Sequence, residues 1–251
     1  MTKIYITIIS LVTVVAIMFG CFIHIFNRGH FTWNVGSSIS ESDTVTLTGD
    51  VDTIEVDTNY AGLTIKYGDD VHVEYTLPES LVPDISLKNG VLSVVTKNTI
   101  HIGNAGWNDF SITIVIPEGT ELDDLKIDLD AGNVKVSDIA VKDVNVRCDA
   151  GNIELKRIEA ESFDLNVDAG NIELTDITTD KVTVKADAGN IEFTDCTIDV
   201  LNADADAGNI ESHNCTINSG EVRTDLGNIH LRGEIGDVDT HTSLGNVRVD
   251  N

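Results

Sequence analysis

Asp130-Ala131-Gly132-Asn133 returns as Asp149-Ala150-Gly151-Asn152, Asp168-Ala169-Gly170-Asn171, Asp187-Ala188-Gly189-Asn190 and Asp206-Ala207-Gly208-Asn209, each 19 residues after the last. Asp225-Leu226-Gly227-Asn228 and Ser243-Leu244-Gly245-Asn246 follow as looser copies, the second after 18 residues. Self-similarity at such a period is the mark of a repeat array. Columns are numbered here from the first Asp of each copy.

In register, the apolar positions separate from the polar ones. Column 5 holds Val134, Ile153, Ile172, Ile191, Ile210 and Ile229, and column 7 holds Val136, Leu155, Leu174, Phe193, Ser212 and Leu231. Column 10 is Ile139, Ile158, Ile177, Cys196 and Cys215. Columns 15, 17, 19 and the next column 2 alternate with polar residues, which predicts one strand across them. A second short strand is expected over columns 5 to 7 and a third over columns 10 to 12. Each repeat is therefore one coil, and stacked coils set every column into a ladder with a step of about 4.8 Å. One coil cannot bury its own sides, so its neighbours do. The expected fold is all-β: a parallel β-solenoid with an aliphatic interior. A right-handed coil is favoured, although a sequence does not fix the hand.

The corner accounts for most of the conserved block. Gly132, Gly151, Gly170, Gly189, Gly208 and Gly227 are expected to supply a backbone conformation that other residues resist. The column 2 alanines are expected to fit a tight interior beside that bend. Asn133, Asn152, Asn171, Asn190, Asn209 and Asn228 can satisfy corner backbone groups and bond from coil to coil. The Asp of column 1 is not required by this scheme.

Outside the array the chain divides into three further parts. Residues 1–26 contain an uncharged apolar run, Ile4 to Phe26, whose length is that of a membrane-spanning helix of about 20 residues. Lys3 and the α-amine precede it and Arg28 follows, a bias that places the N-terminus inside and the repeats outside. A lipoprotein processed at Cys21 is the rival reading. Residues 27–43 read as a juxtamembrane linker with Gly29, Gly36, Ser37, Ser38 and Ser40. Residues 44–117 show alternating strand patterns without a fixed period, an irregular β region that caps or starts the solenoid of residues 118–251. Within it, Ile85 to Val95 reads as a hairpin turning at Lys88-Asn89-Gly90.

These features together carry a resemblance. The apolar anchor, the irregular strand region, the strand ending in Ile116-Pro117 and the tandem Gly-Asn-Ile repeats resemble the bacterial putative-adhesin family of β-strand-repeat proteins, formally a domain of unknown function, over roughly residues 44–251. Membrane-anchored LiaG-like proteins of Gram-positive bacteria are of this kind. The resemblance implies a β-solenoid at the bacterial envelope and brings no catalytic motif.

Composition bounds the chemistry. The 251 residues carry 42 Asp+Glu against 16 Lys+Arg, a formal net charge of −26. Such a surface repels nucleic-acid phosphates and anionic lipid heads, so no nucleic-acid partner is expected. Column 1 stacks Asp130, Asp149, Asp168, Asp187, Asp206 and Asp225 outward, and column 6 stacks Glu154, Glu173, Glu192 and Glu211. Like charges on adjacent rungs repel unless screened, so a diffuse cation ladder at column 1 is one reading. One Asp per rung is too few ligands for a tight calcium site. No cofactor and no catalytic residue is indicated: the acids are placed by the repeat, whereas a catalytic pair needs two carboxylates in unlike environments. His213, His230 and His241 are placed in columns 8, 6 and 17 of different coils, with no metal triad.

Cys196 and Cys215 share column 10 in neighbouring coils, where a disulfide or two buried thiols are both open. The loop Ile102–Asn108 with Trp107 is a further candidate contact surface. The sequence at Val247-Arg248-Val249-Asp250-Asn251 is still in strand pattern, which raises docking onto a partner or end-to-end self-association. The expected function is a membrane-anchored, extracytoplasmic, non-catalytic scaffold, adhesion or interaction module with a protein or cell-wall partner. A polysaccharide-active β-helix enzyme and a cation-responsive structural module are the alternatives.

Overall fold

In the computed structural model, residues 40–96 and 110–251 are described. Ile4–Phe26, Cys21 and the Trp107 loop lie outside them. Among the described residues no helix is long and apolar enough to cross a membrane.

The repeat array is a stack of parallel rungs. β8 (Glu121–Ala131) pairs in parallel with β10 (Ala140–Ala150), and β10 with the far half of β11 (Ile153–Ala169). β11 lies against β12 (Ile172–Ala188) along its whole length, Ile153 opposite Ile172 and Ala169 opposite Ala188. The stack continues through β14 (Thr197–Ala207), β16 (Cys215–Leu226) and the second half of β17 (Ile229–Leu244). On the other side of the corner, β9 (Val134–Ser137) meets the start of β11, which is followed by the start of β12, β13 (Ile191–Thr194), β15 (Ile210–His213), the start of β17 and β18 (Val247–Asp250). Neighbouring coils are thus matched column by column at the register read from the 19-residue spacing.

Columns 5, 7, 10, 15, 17 and 19 face inward and close the core. Phe163 and Phe193 are its largest side chains, at 1 % and 0 % exposure. Column 2 meets expectation at Ala131, which is buried, and departs from it at Ala150, Ala169, Ala188 and Ala207, which are half-buried where the chain turns at the corner.

The corner glycines answer chiefly to a close backbone approach. A Cβ built on Gly151 falls 1.6 Å from the carbonyl oxygen of Gly132, and one on Gly170 falls 1.7 Å from that of Gly151. The same collision recurs at Gly208, Gly227 and Gly245, at 1.7, 1.8 and 1.7 Å. A positive φ adds to the demand at Gly170, which sits at +152°. The corner amides meanwhile bond across coils: Gly151 N–H donates to the Ala169 carbonyl at 2.9 Å, and Ile153 N–H to the Asn171 carbonyl at 2.9 Å.

A second corner was not read from the sequence. Column 9 is left-handed at Asp138, Arg157, Asp176, Asp195 and Asn214, with φ between 52° and 62°. Asp and Asn tolerate that conformation better than other side chains, and four of these five positions carry one of them, which was the available signal. The 18-residue coil loses its residue here. Glu211 aligns with His230 but Cys215 aligns with Gly233, so the deletion falls between columns 6 and 10. His241 consequently lies opposite Arg223 in column 18, not in column 17 as the uncorrected spacing implied.

The region before the array belongs to the stack. β1 (Ser40–Thr46) begins within residues expected to be linker. β2 (Thr53–Tyr60) pairs in parallel with β8, and β3 (Gly62–Gly68) with β9, forming one full rung. β6 (Val91–Val95) and β7 (Ser111–Pro117) form the next rung outward, on β2 and β3. Later residues therefore lie outside earlier ones, and that inversion hides any period in the sequence.

Antiparallel strands close this pole. β5 (Asp84–Lys88) folds back on β6 through Asn89 and Gly90, whose φ of 52° and 79° suit a two-residue type I′ hairpin. β4 (His72–Pro78) runs antiparallel to β7, and β1 antiparallel to β4.

The collision geometry yields a paired prediction. Gly170→Ala places a methyl group onto a neighbouring backbone at an adverse φ and is expected to cost about 3 kcal/mol in urea unfolding. Gly119→Ala has φ +81° but nothing within 4 Å of the added carbon, and should cost only about 1 kcal/mol. Equal losses would contradict the close-approach account.

Candidate functional site

Alternation along the long strands decides what reaches solvent. With columns 15, 17 and 19 inward, columns 14, 16, 18 and 1 stand outward on one continuous parallel sheet. Each column is a largely polar ladder running from β2 across the array, with Val200 the apolar exception in column 14.

The column 1 carboxylates are placed by this sheet in a single row, and they are not left unscreened. Asp130 accepts a hydrogen bond from Asn59 Nδ2 at 2.7 Å. One Arg147 NH2 lies 3.5 Å from Asp149 and 3.8 Å from Asp168, and Lys185 Nζ lies 3.0 Å from Asp187. Ser243 Oγ donates to Asp225 at 3.3 Å. The bases come from column 18, where Arg147, Lys185 and Arg223 are interleaved with Asp128, Asn166 and Asp204. This second ladder is present in the repeat alignment, where its mixture of bases, acids and Asn is less conspicuous than the uniform acids of column 1. Exposed pairs of this kind contribute little individually; their effect is to dilute repulsion along the row.

Two acids on this face remain under strain. Burial, followed by the carboxylate of Asp57 on the neighbouring strand, raises the Asp128 pKa above the usual carboxylate range. Asp206 is likewise raised, first by burial, with Lys185 opposing and Asp187, Asp204 and Asp225 adding to it. Asp128 borders a shallow groove of about 460 Å³ on the outer face of β6, β2, β8 and β10, lined by Glu55, Asp57, Lys126, Asn145 and Arg147 besides Asp128.

The opposite edge of the corner carries the asparagine ladder. Asn152 N–H donates to Asn133 Oδ1 at 3.0 Å, and Asn171, Asn190, Asn209 and Asn228 each repeat the bond to the coil before at 2.9 Å. This is structural use of Gly-Asn and leaves those side chains committed. The column 6 glutamates are also partly engaged: Lys135 Nζ reaches Glu154 at 2.7 Å, and His213 Nε2 lies 3.5 Å from Glu211. At column 9, Arg157 grips Asp138, its second bond at 2.6 Å, and Asn214 Nδ2 donates to Asp195 at 2.6 Å.

Cys196 and Cys215 are free, buried thiols in adjacent coils, with Cys148 a third. Cys196 N–H donates to Cys215 Sγ at 3.4 Å. The hydrogen bond shared with Cys215, reinforced by burial, holds the Cys196 thiol above its ordinary range. Burial pushes the Cys148 thiol up to about 12. Among the described residues no three His, Cys, Asp or Glu side chains converge to hold a metal ion, so the column 1 ladder does not fold into a chelating cluster. His213, His230 and Arg232 do meet: the guanidinium lies 3.2 Å from His213 Nδ1 and 3.0 Å from His230 Nδ1.

The Toastrack DUF4097 family model matches residues 51–251. No curated protein matches the chain. Among solved structures, a putative adhesin from Bacteroides fragilis aligns with a TM-score of 0.61 at 16 % identity, over 85 % of this chain and 98 % of its own. A putative lipid binding protein from Parabacteroides distasonis aligns with a TM-score of 0.54 at 18 % identity, over 88 % of this chain and 100 % of its own. At such identities the likeness is one of fold.

The carboxylate environments set a pH profile. Asp128 and Asp206 bind a proton more readily when folded, so stability rises as pH falls from neutral through their raised range. Asp138, held low by its hydrogen bond from Arg157, and Asp250, held low by His230 and then Arg248, act oppositely. Their contribution is present above the ordinary carboxylate range and is lost as pH falls through their depressed values. Thermal unfolding should therefore show its highest midpoint in the ordinary carboxylate range, at about pH 4, with a decline on both sides. A midpoint that rises steadily from acid to neutral pH would contradict this assignment.

Proposed function

Because the chain belongs to the Toastrack DUF4097 family, known here by a fold and not by a reaction, we propose that it works as a non-catalytic adhesion or interaction module. In this reading residues 4–26 anchor it in the cell membrane and the solenoid lies outside, at the bacterial envelope.

The observation that carries the reading is the outward sheet face. Columns 16, 18 and 1 repeat charged and polar side chains at the rung spacing over the length of the stack, on a backbone that every coil bonds to the next. A reacting centre needs groups that converge on one point. Extended ladders instead suit an extended partner, met by many weak contacts at once. The adhesin name of the Bacteroides fragilis structure accords with that use.

The lipid-binding name of the second structure finds less support in this chain. Its inward columns are filled, with Ile153, Ile172, Leu174, Phe193 and Ile210 at 0 % exposure. Its net charge of −26 repels anionic headgroups.

Two measurements test the proposal. Protease added to intact cells should cleave the repeat domain; full protection would place it inside and overturn the envelope reading. The full-length protein should bind isolated bacterial cell walls, and the triple variant Asp149→Asn, Asp168→Asn, Asp187→Asn should bind about 10-fold more weakly while melting near the parent. Equal binding by parent and variant would remove the sheet face from the function.

A further inference from the structure

The two poles of the stack differ in kind. At one, antiparallel β1 and β5 cover the first rungs, and β1 presents Glu41 and Asp43 along an edge whose charges discourage pairing. At the other, the rung made of the second half of β17 and of β18 is covered on one side only, by β16 and the first half of β17. Among the described residues, Asn251 reaches that other side, its Oδ1 accepting from Ile235 N–H at 3.2 Å. Three of its aliphatic side chains stand open, Leu244 at 61 %, Val247 at 41 % and Val249 at 43 %. One rung earlier, Ile229 and Leu231 in the columns of Val247 and Val249 are at 1 % and 0 %.

β18 is also self-complementary. It reads Val247-Arg248-Val249-Asp250, with Arg248 and Asp250 on one face and the valines on the other. When such a strand meets its own copy antiparallel about a two-fold axis at Val249, Arg248 of each copy opposes Asp250 of the other. Val249 then packs on Val249, and the unpaired edge groups of both strands bond to each other. Opposite charges directly across a strand pair are favourable, and a two-fold contact uses the same patch on both partners. Head-to-tail stacking has no such register, because it would set this face against the polar, acidic β1 pole.

We propose that two copies of this chain dock tail to tail through the β17–β18 rung, with β18 antiparallel to its counterpart. The docking is independent of the adhesion reading. One consequence does rest on the membrane anchor. Ser40 lies at the β1 pole, ten strand spacings or about 50 Å from β18. A tail-to-tail pair therefore directs the two anchors away from each other, into facing membranes, and the contact becomes a homophilic bridge between surfaces.

Sedimentation equilibrium of the full-length protein in detergent tests the docking. A monomer–dimer equilibrium is expected in the micromolar range. Arg248→Glu, which opposes two acids across the axis, should weaken it about 10-fold, and the charge swap Arg248→Glu with Asp250→Arg should restore it. In a Cys21→Ser background, Val249→Cys should form a disulfide-linked dimer on mild oxidation, whereas Val200→Cys on the sheet face should not. A monomer up to about 100 μM, a dimer indifferent to Arg248→Glu, or equal crosslinking at both sites would overturn the proposal. Vesicles carrying the full-length protein should aggregate. Vesicles that stay dispersed while the detergent dimer forms would overturn the bridge and leave the docking in place.

Discussion

Everything in this molecule is arranged around the distance at which one corner backbone passes the next. The carbonyl oxygen of each corner glycine occupies the space that a Cβ on the following glycine would need. That closeness is what allows the Gly, Asn and column 5 amides to bond in unbroken series from coil to coil. It also explains where length can vary. The one shortened coil drops its residue at the left-handed second corner, and Leu226 still meets Leu244 beside the next glycine. The first corner tolerates no slippage; the second does.

With the corners fixed, the remaining columns divide between two tasks. Inward columns fill a core that narrows from Phe163 and Leu201 to Gly220 in column 15, and from Leu129 to Thr224 in column 19. Outward columns carry the charge. The acidic rows are compatible with a stable sheet because column 18 supplies bases between them, Arg147 to Asp149 and Asp168, and Lys185 to Asp187. On this face burial, ahead of the neighbouring carboxylates, raises the pKa of Asp128 and of Asp206. A rigid backbone with a periodic charged face is a physical basis for recognition without catalysis.

The parallel stack, its register and its inward columns were legible in the sequence, because a strict spacing forces like residues into contact. The column 9 corner was less so: Arg157 interrupts a run of Asp and Asn, and left-handed geometry is only a preference for those residues. Column 2 misled for a different reason. Small alanines suit a tight interior and a turning backbone equally, and only the fold shows that they sit on the turn. The shift of His241 to column 18 depended on locating a one-residue deletion, which spacing alone puts anywhere in the coil. Screening by Arg147 and Lys185 was present in the alignment but required knowing that columns 18 and 1 share a face.

By itself, the sequence determined the solenoid, since a 19-residue recurrence of glycine and aliphatic side chains has one economical way to bury its apolar face. It also determined an outward row of aspartates, since alternation leaves them no other side. Tertiary structure alone decided the order of the first rungs, where β6 and β7 lie outside β2 and β3, because strand order in space is set by pairing partners far apart in the chain. It likewise decided that the β1 pole is closed by antiparallel strands, whereas Leu244, Val247 and Val249 of the last rung stand exposed. Burial of an end is a property of what stacks on it, and no single strand encodes its own neighbour.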